Sequence, residues 1–249
     1  TFGYWAEVTA TIPAWCAHAD GWRQVLCDWD MEARSDSTAT TIFVWMTHEL
    51  LDLTMGDRLP GGRHSEFWRF IQDIPHFEQN VDWLLLRPAT DPIWDLPGTV
   101  TRETKADTFS RALATAVASI EQQVGPPGPD WAWGTFRPFV LKHLFGGKKA
   151  IAGLVNSPAY PGRGLPNTVF KNQFNRADRK QMHVTAGPAM RINIDMADPE
   201  AAVYDLAGGE SGWPESPYYA NDVPNWLEGH MHPLSATDGE TIILSPATP

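Results

Sequence analysis

Between Thr38 and Val124 the apolar residues recur three and four positions apart, the spacing of one face of an α-helix. Asp36 and Ser37 offer N-cap oxygens ahead of Ala39, Ile42, Phe43, Met46 and Leu50, which predicts a first strong helix. Phe67, Phe70, Ile71 and Ile74 repeat the stripe, and Val81, Leu84 and Leu85 carry a shorter one. The clearest helix runs along Phe109, Leu113, Ala116, Val117, Ile120 and Val124 and stops at Gly125-Pro126-Pro127-Gly128-Pro129. The period then changes. Met190, Ile192, Ile194 and Met196 alternate with Arg191, Asn193 and Asp195, the two-residue repeat of a half-buried strand. Shorter strands are expected at 139–144, 168–170, 181–185, 201–206 and 241–244, separated by Gly/Pro-rich loops at 158–166 and 208–217. Helices first and antiparallel strands later make an α+β chain, with 1–129 a mainly helical segment and 130–249 a mainly strand segment of the same domain.

Composition narrows the partners. With 249 residues and 43% hydrophobic content, a chain of this size can bury roughly 70–75% of its unfolded surface. A net charge of −11 argues against nucleic acid and anionic membrane, which need a basic face, and leaves a small molecule or a protein. No apolar run reaches membrane-spanning length, and Thr1-Phe2-Gly3-Tyr4-Trp5 is unlike a signal peptide, so a soluble chain is expected. The absence of an initiator Met leaves open whether Thr1 is a processed terminus or the start of a piece. Cys16 and Cys27 are too few for a disulfide framework; two ordinary thiols are expected, with one bridge the alternative. The twelve tryptophans are scattered from Trp5 to Trp226, as core and loop anchors would be rather than a sugar-binding platform.

Candidate chemistry is sparse. His230 and His232 flank Met231 and could share one side of a strand, but without a third ligand they read as a solvated loop, and no metal or cofactor is expected. His143 follows an apolar run and reads as a histidine hydrogen-bonded at a strand end. Arg191 and Asp195 share a strand face about 13 Å apart at ~3.3 Å per residue, so each needs a partner from elsewhere. That face is either an ordinary polar surface or a buried charge that orients a loop; in the second case Arg191 should meet backbone carbonyls of the 208–219 loop or an acidic side chain such as Glu210. Thr1 could act as a nucleophile through its own α-amine, although any chain trimmed before a Thr has the same feature.

One run is a signature of a specific loop: Gly208-Gly209-Glu210-Ser211-Gly212-Trp213-Pro214-Glu215-Ser216-Pro217-Tyr218-Tyr219, followed by Asp222, Trp226 and Gly229. It resembles a motif near the C-terminus of the penicillin amidase family, N-terminal-nucleophile acylases that cleave penicillins, cephalosporins and acyl-homoserine lactones. Other segments are similar to that family's β-subunit and occur in its order. Leu26-Cys27-Asp28-Trp29-Asp30 followed by Ser35-Asp36-Ser37 resembles a Trp-Asp-Gly segment, with Met31 where Gly is usual. Arg102-Glu103-Thr104, then Asp130-Trp131-Ala132-Trp133-Gly134 and His143, resemble a Trp-x-Trp-Gly block, with Arg137 at about the place of a frequent His. Asn167-Thr168-Val169, Gly187-Pro188-Ala189-Met190-Arg191 with Asp195, and the closing 242–246 segment complete the series.

The resemblance implies a share of a four-layered αββα sandwich and a parent that hydrolyses linear amides. There an N-terminal Ser attacks the carbonyl, its own amine relays the proton, and a backbone N–H with an Asn side chain holds the oxyanion. None of those elements maps onto this chain, so no catalytic residue is expected here. The chain would be a C-terminal β-subunit portion, inactive alone. His143, Arg191, Asp195, Glu210, Ser211 and Gly212 would brace the acyl pocket without touching substrate. The implied partners are the upstream part of the β-subunit and the α-subunit, with self-association through uncovered faces. The family's calcium site lies largely upstream, and its members are often exported bacterial proteins. The competing reading is an autonomous aromatic-rich binding or structural domain.

Overall fold

The computed structural model describes residues 16, 20–74, 77, 79–177, 179 and 182–234. The 241–244 strand expected from sequence, the 242–246 segment and Thr1 lie outside them. Helices and small antiparallel sheets make up an α+β chain that divides into two compact units, Thr1–Val140 with Pro158–Gly187, and Leu141–Ser157 with Pro188–Pro249.

In the first unit, α1 (Gly21–Cys27), α2 (Thr38–Thr54), α3 (Glu66–Gln72), α4 (Gln79–Leu85), α5 (Lys105–Val124) and the short α6 (Trp133–Phe136) surround one hydrophobic core. Ser37 caps α2 as its sequence predicts, accepting from the Thr40 N–H at 3.1 Å. The helix is buried on nearly every side, its polar Thr47, His48, Glu49 and Asp52 included, because α5 packs along it while other elements enclose the rest. Thr104 opens α5 with a capping box: its hydroxyl accepts from the Asp107 N–H, and the Asp107 carboxylate accepts from the Thr104 N–H. Glu103 beside it accepts from the Leu96 N–H and the Thr99 hydroxyl, which gives the Arg-Glu-Thr segment a local role. Gly125, at φ 91°, ends the helix as expected.

Two departures from the apolar pattern stand out in this unit. Most of the stripe faces outward, with Phe67 and Phe70 on α3 and Ile74 just past it 46–66% exposed, while Trp68 turns inward and Ile71 packs against the core. Trp68 fills the core because its indole N–H donates to buried Asp52 at 2.7 Å, so a polar tether decides which face of α3 is covered. The cysteines are not free thiols: Cys16 and Cys27 form a disulfide. Sequence spacing could not show this because the bridge requires a Cα separation, here 5.9 Å, that only folding sets. The enclosed loop is short, so reducing the bridge should lower unfolding stability by about 2–3 kcal/mol, measured by urea denaturation with and without dithiothreitol.

The motifs seen in sequence meet here. Trp133 and Gly134 donate backbone N–H bonds to the carbonyls of Ser37 and Ser35, and the Trp133 indole donates to Gly164. A Cβ on Gly134 would lie 2.8 Å from the Pro161 side chain and 3.1 Å from Ser35, so only glycine fits. Six tryptophans, Trp45, Trp68, Trp94, Trp131, Trp133 and Trp226, are fully buried, which agrees with the anchoring role and not with a platform. Arg137 is also fully buried: it donates to the Asn172 and Gln173 carbonyls and stacks on Phe174 and Trp133. Burial pulls its pKa down to about 9, which still leaves it charged at neutral pH.

Met31 holds a left-handed backbone, φ 65°, the one non-glycine to do so among the described residues. This is the position where the resembling family has Gly, and the Cβ is strained there. The usual order of Ala over Gly should therefore invert. With the side chain's packing removed in both variants, Met31→Gly should be more stable than Met31→Ala by about 1 kcal/mol in denaturant unfolding.

The strands of this unit are short: β1 (Pro138–Phe139) pairs with β2 (Tyr160–Pro161), and β3 (Gln173–Phe174) with β4 (Val184–Ala186). The strand expected at 139–144 thus ends at Phe139, and 168–170 forms a turn closed by the Thr168 hydroxyl instead. Residue 181 lies outside the description; the strand near it begins at Val184.

In the second unit, α7 (Ala152–Val155) is about one turn long, β5 (Met190–Asp195), β6 (Asp198–Leu206) and β7 (His232–Pro233) form an antiparallel sheet in that order, and α8 (Val223–Glu228) packs on β6. The sheet inverts the burial expected from its alternation. Met190, Ile192, Ile194 and Met196 are 42–85% exposed, whereas on the opposite face Arg191 and its partner Asp205 are covered and Asn193 and Asp195 are exposed. A charged side chain turned inward is tolerated because it is fully paired there.

Candidate functional site

The signature run closes into a loop at the end of β6. Asp222 donates its N–H to the Gly208 carbonyl at 3.0 Å, and Ser211 donates its own to Tyr218 at 3.1 Å, so the two arms are tied at both levels. The hydroxyl of Ser211 accepts from the Trp213 N–H, and that of Ser216 from the Tyr218 N–H, two local turns of the kind Ser favours. A Cβ on Gly209 would sit 1.9 Å from the Tyr218 carbonyl, so this glycine is required by close approach of the two arms. Gly212, by contrast, has open space around it, and Glu210 is exposed. Past the loop, Pro224 enters the first turn of α8, Trp226 is fully buried, and Gly229 at φ 81° ends the helix.

Arg191 has partners other than those expected. Its guanidinium forms a two-pronged pair with Asp205, directly opposite it on β6, with Nε donating to Oδ1 at 2.9 Å and Nη2 to Oδ2. Nη2 also donates to the Trp226 carbonyl, and the guanidinium lies 5.0 Å over the Trp226 ring. Arg191 therefore fastens the hairpin to α8; the acid it meets is Asp205 and not Glu210. Asp205 was invisible as a partner until strand pairing set it across from Arg191. The sharper expectation for Asp195, a buried charge, does not hold: it is exposed, and its Oδ1 accepts from the Ala197 N–H at 2.9 Å in the β5–β6 turn. His143 lies beyond any strand; its Nδ1 accepts from the Phe145 N–H at 3.3 Å while Asn156 holds its backbone N–H. The predicted residues thus do not converge on one point. Glu210 and Ser211 belong to the loop, Arg191 to the underside of the sheet, and Asp195 and His143 to separate turns.

What the loop does bring together is an open pocket lined by Tyr204 and Leu206 of β6, Glu210 and Tyr218 of the loop, Asp222, and His232 of β7. His232 Nε2 lies 2.7 Å from Asp222 Oδ1, and the Asn225 amide donates to the same oxygen at 2.9 Å. Burial pushes the Asp222 pKa up, but these bonds and one from the Leu206 N–H together hold it below the ordinary carboxylate value. Sequence reading singled out His232 for its neighbour His230 and missed Asp222 as its partner. The two histidines do not share a site, and among the described residues no group of three or more His, Cys, Asp or Glu could hold a metal ion. The His232–Asp222 pair can bind or orient a polar group.

The first unit holds a second concentration of charge. Arg179 donates to Glu49 at 2.7 Å and to Asp52 at 2.5 Å, joining the segment after β3 to α2. Arg63 reaches Glu49 and pairs with Asp57. His48 is buried and kept neutral, its pKa pushed well below the usual value by burial and by Arg176 and Arg179 nearby. This network ties helices to loops.

Fold and site together define an α+β protein whose signature residues brace a loop and sheet. The family model described as penicillin amidase matches residues 4–241, and the chain belongs to that family. An acyl-homoserine lactone acylase QuiP of Pseudomonas aeruginosa is 26% identical over 218 residues, covering 82% of this chain and 25% of that protein. Two proteins of the same description from Pseudomonas fluorescens are similar: strain Pf0-1 is 31% identical over 68% of this chain and 20% of its own length, and strain Pf-5 30% identical over 58% and 17%. The chain thus spans at most about a quarter of the length of these relatives.

Proposed function

We propose that this chain is the C-terminal β-subunit portion of an acylase-type amide hydrolase, and that it supplies scaffold to a reaction whose nucleophile and oxyanion groups come from other sequence. Its substrate class would be that of the relatives, acylated amines of the acyl-homoserine lactone kind. The carrying observation is the second unit's sheet: α8 covers one face through Arg191, Asp205 and Trp226, while Met190, Ile192 and Ile194 leave the other apolar face open. A sheet with a helix on one side and an uncovered apolar side is suited to a further layer, as in an αββα sandwich. The burial of six tryptophans weighs against the alternative of an aromatic ligand-binding domain.

The 249-residue chain should not hydrolyse phenylacetyl, glutaryl or long-acyl amides above background. Turnover that vanishes on Thr1→Ala would move the nucleophile to Thr1, and turnover indifferent to that change would indicate another mechanism; either overturns the proposal. The open face is tested separately by sedimentation velocity. Concentration-dependent association is expected, and Ile192→Lys should suppress it without loss of stability, since Ile192 is 42% exposed. A strictly monomeric chain would remove the support for a missing layer.

A further inference from the structure

Among the described residues, the pocket beside the signature loop is lined by two carboxylates and by no Lys or Arg. After Arg191 the sequence holds no Lys or Arg and ten acidic residues, so nearly all of the net charge of −11 resides in this stretch. Most such charges face solvent, but Glu210 and Asp222 line one pocket together with Tyr204 and Tyr218. Asp222 stays ionised through its bonds from Asn225, His232 and Leu206. The nearest arginine in sequence, Arg191, is turned to the other face of the sheet and is committed to Asp205. The π faces of tyrosines attract cations, and carboxylates accept charge-assisted bonds from N–H donors.

We propose that this pocket binds a small organic ammonium compound, with Tyr204 and Tyr218 against the cation and Glu210 supplying the countercharge. The site is built before the ligand arrives. Gly209 lets the two loop arms close against each other, the Ser211–Tyr218 backbone bond fixes the position of Tyr218, and His232 stands 6.0 Å from the Tyr204 ring as the far wall. An anion would meet two carboxylates, and a neutral apolar molecule would offer the Glu210 carboxylate no partner. This assignment uses no reacting group and is made for the chain as it stands, in which the face that Tyr204 shares with Ile192 is open.

The test is titration of the 249-residue chain with choline and with its neutral carbon isostere, 3,3-dimethylbutan-1-ol, at constant ionic strength, followed by NMR of the tyrosine ring signals. Choline should bind saturably and the isostere about tenfold more weakly or not at all. Glu210 and Tyr218 are exposed, so their variants should fold, which circular dichroism verifies. Glu210→Gln should weaken choline binding about tenfold, and Tyr218→Ala about two- to fivefold. Equal binding of the isostere, indifference to Glu210→Gln, or no saturable choline binding by the folded chain would overturn the proposal. Loss or gain of amide hydrolysis in the same preparations bears on the acylase reading alone.

Discussion

Replacing Arg191 with alanine should destabilise the sheet unit by about 3 kcal/mol, because it strands a fully buried carboxylate. Asp205 has no exposed side-chain surface, and Arg191 is its cross-strand partner. The same change frees the Trp226 carbonyl and uncouples β5 from α8. Arg191→Lys should recover only part of the loss, since a single ammonium cannot reproduce the two-pronged bond to Asp205 together with the bond to Trp226. Replacing both partners, with Arg191→Met and Asp205→Leu, should recover more than lysine does, because no buried charge is left alone. Urea denaturation and hydrogen exchange of the β5–β6 amides measure these effects. A loss below about 1 kcal/mol for Arg191→Ala would mean that water replaces the guanidinium, as at an ordinary surface pair.

Arg179→Ala should produce a loss of similar size, about 3 kcal/mol at neutral pH, through Glu49 and Asp52, both almost fully buried. This loss should depend on pH. Burial raises the Glu49 pKa, Arg179 opposes that, Asp52 reinforces it, and Arg63 opposes it in turn; the balance stays above the ordinary carboxylate value. A carboxyl that holds its proton more tightly when folded loses stabilising influence as pH rises from its unfolded value, about 4.3, through its folded one. Without Arg179 the folded value rises further, so the window widens upward. The deficit of the variant against the native chain should be largest at neutral pH and shrink toward pH 4, where Glu49 carries its proton and needs no guanidinium. Adding Glu49→Gln to Arg179→Ala should recover part of the neutral-pH loss. A deficit that grows on acidification would contradict the burial of Glu49 as its cause.

The two variants show why some of the site was legible in the residues and some was not. The loop of 208–219 could be read because Gly209, Ser211 and Ser216 act on neighbours within a dozen residues, where local chemistry suffices. Arg191 could be read as a charge in need of a partner because alternation placed it opposite Met190 and Ile192. Asp205 could not, since its position across from Arg191 is a matter of register, set by a turn and a bulge in the hairpin. The Asp222–His232 contact likewise depends on β7 returning to β6 after α8. Glu49, Asp52 and Arg179 are joined across 127 to 130 positions of chain, a separation that no periodicity bridges.

By itself the sequence determined the elements whose signals are local: the cap of α2, the stop of α5, the alternation of β5, the glycine-dependent turns and the order of segments that marks the penicillin amidase family. Helix and strand periods, cap hydrogen bonds and left-handed turns all arise from residues a few positions apart, so they are written in the chain directly. Tertiary structure decided which faces are covered. It exposed most of the apolar stripe of α3 because Trp68 is held by Asp52, and it exposed the apolar side of β5 because Arg191 is held by Asp205 and Trp226. It also decided that Cys16 and Cys27 are joined. A buried charge or indole N–H costs several kcal/mol without a partner, so the availability of that partner in space outweighs the apolar pattern in choosing what lies inside.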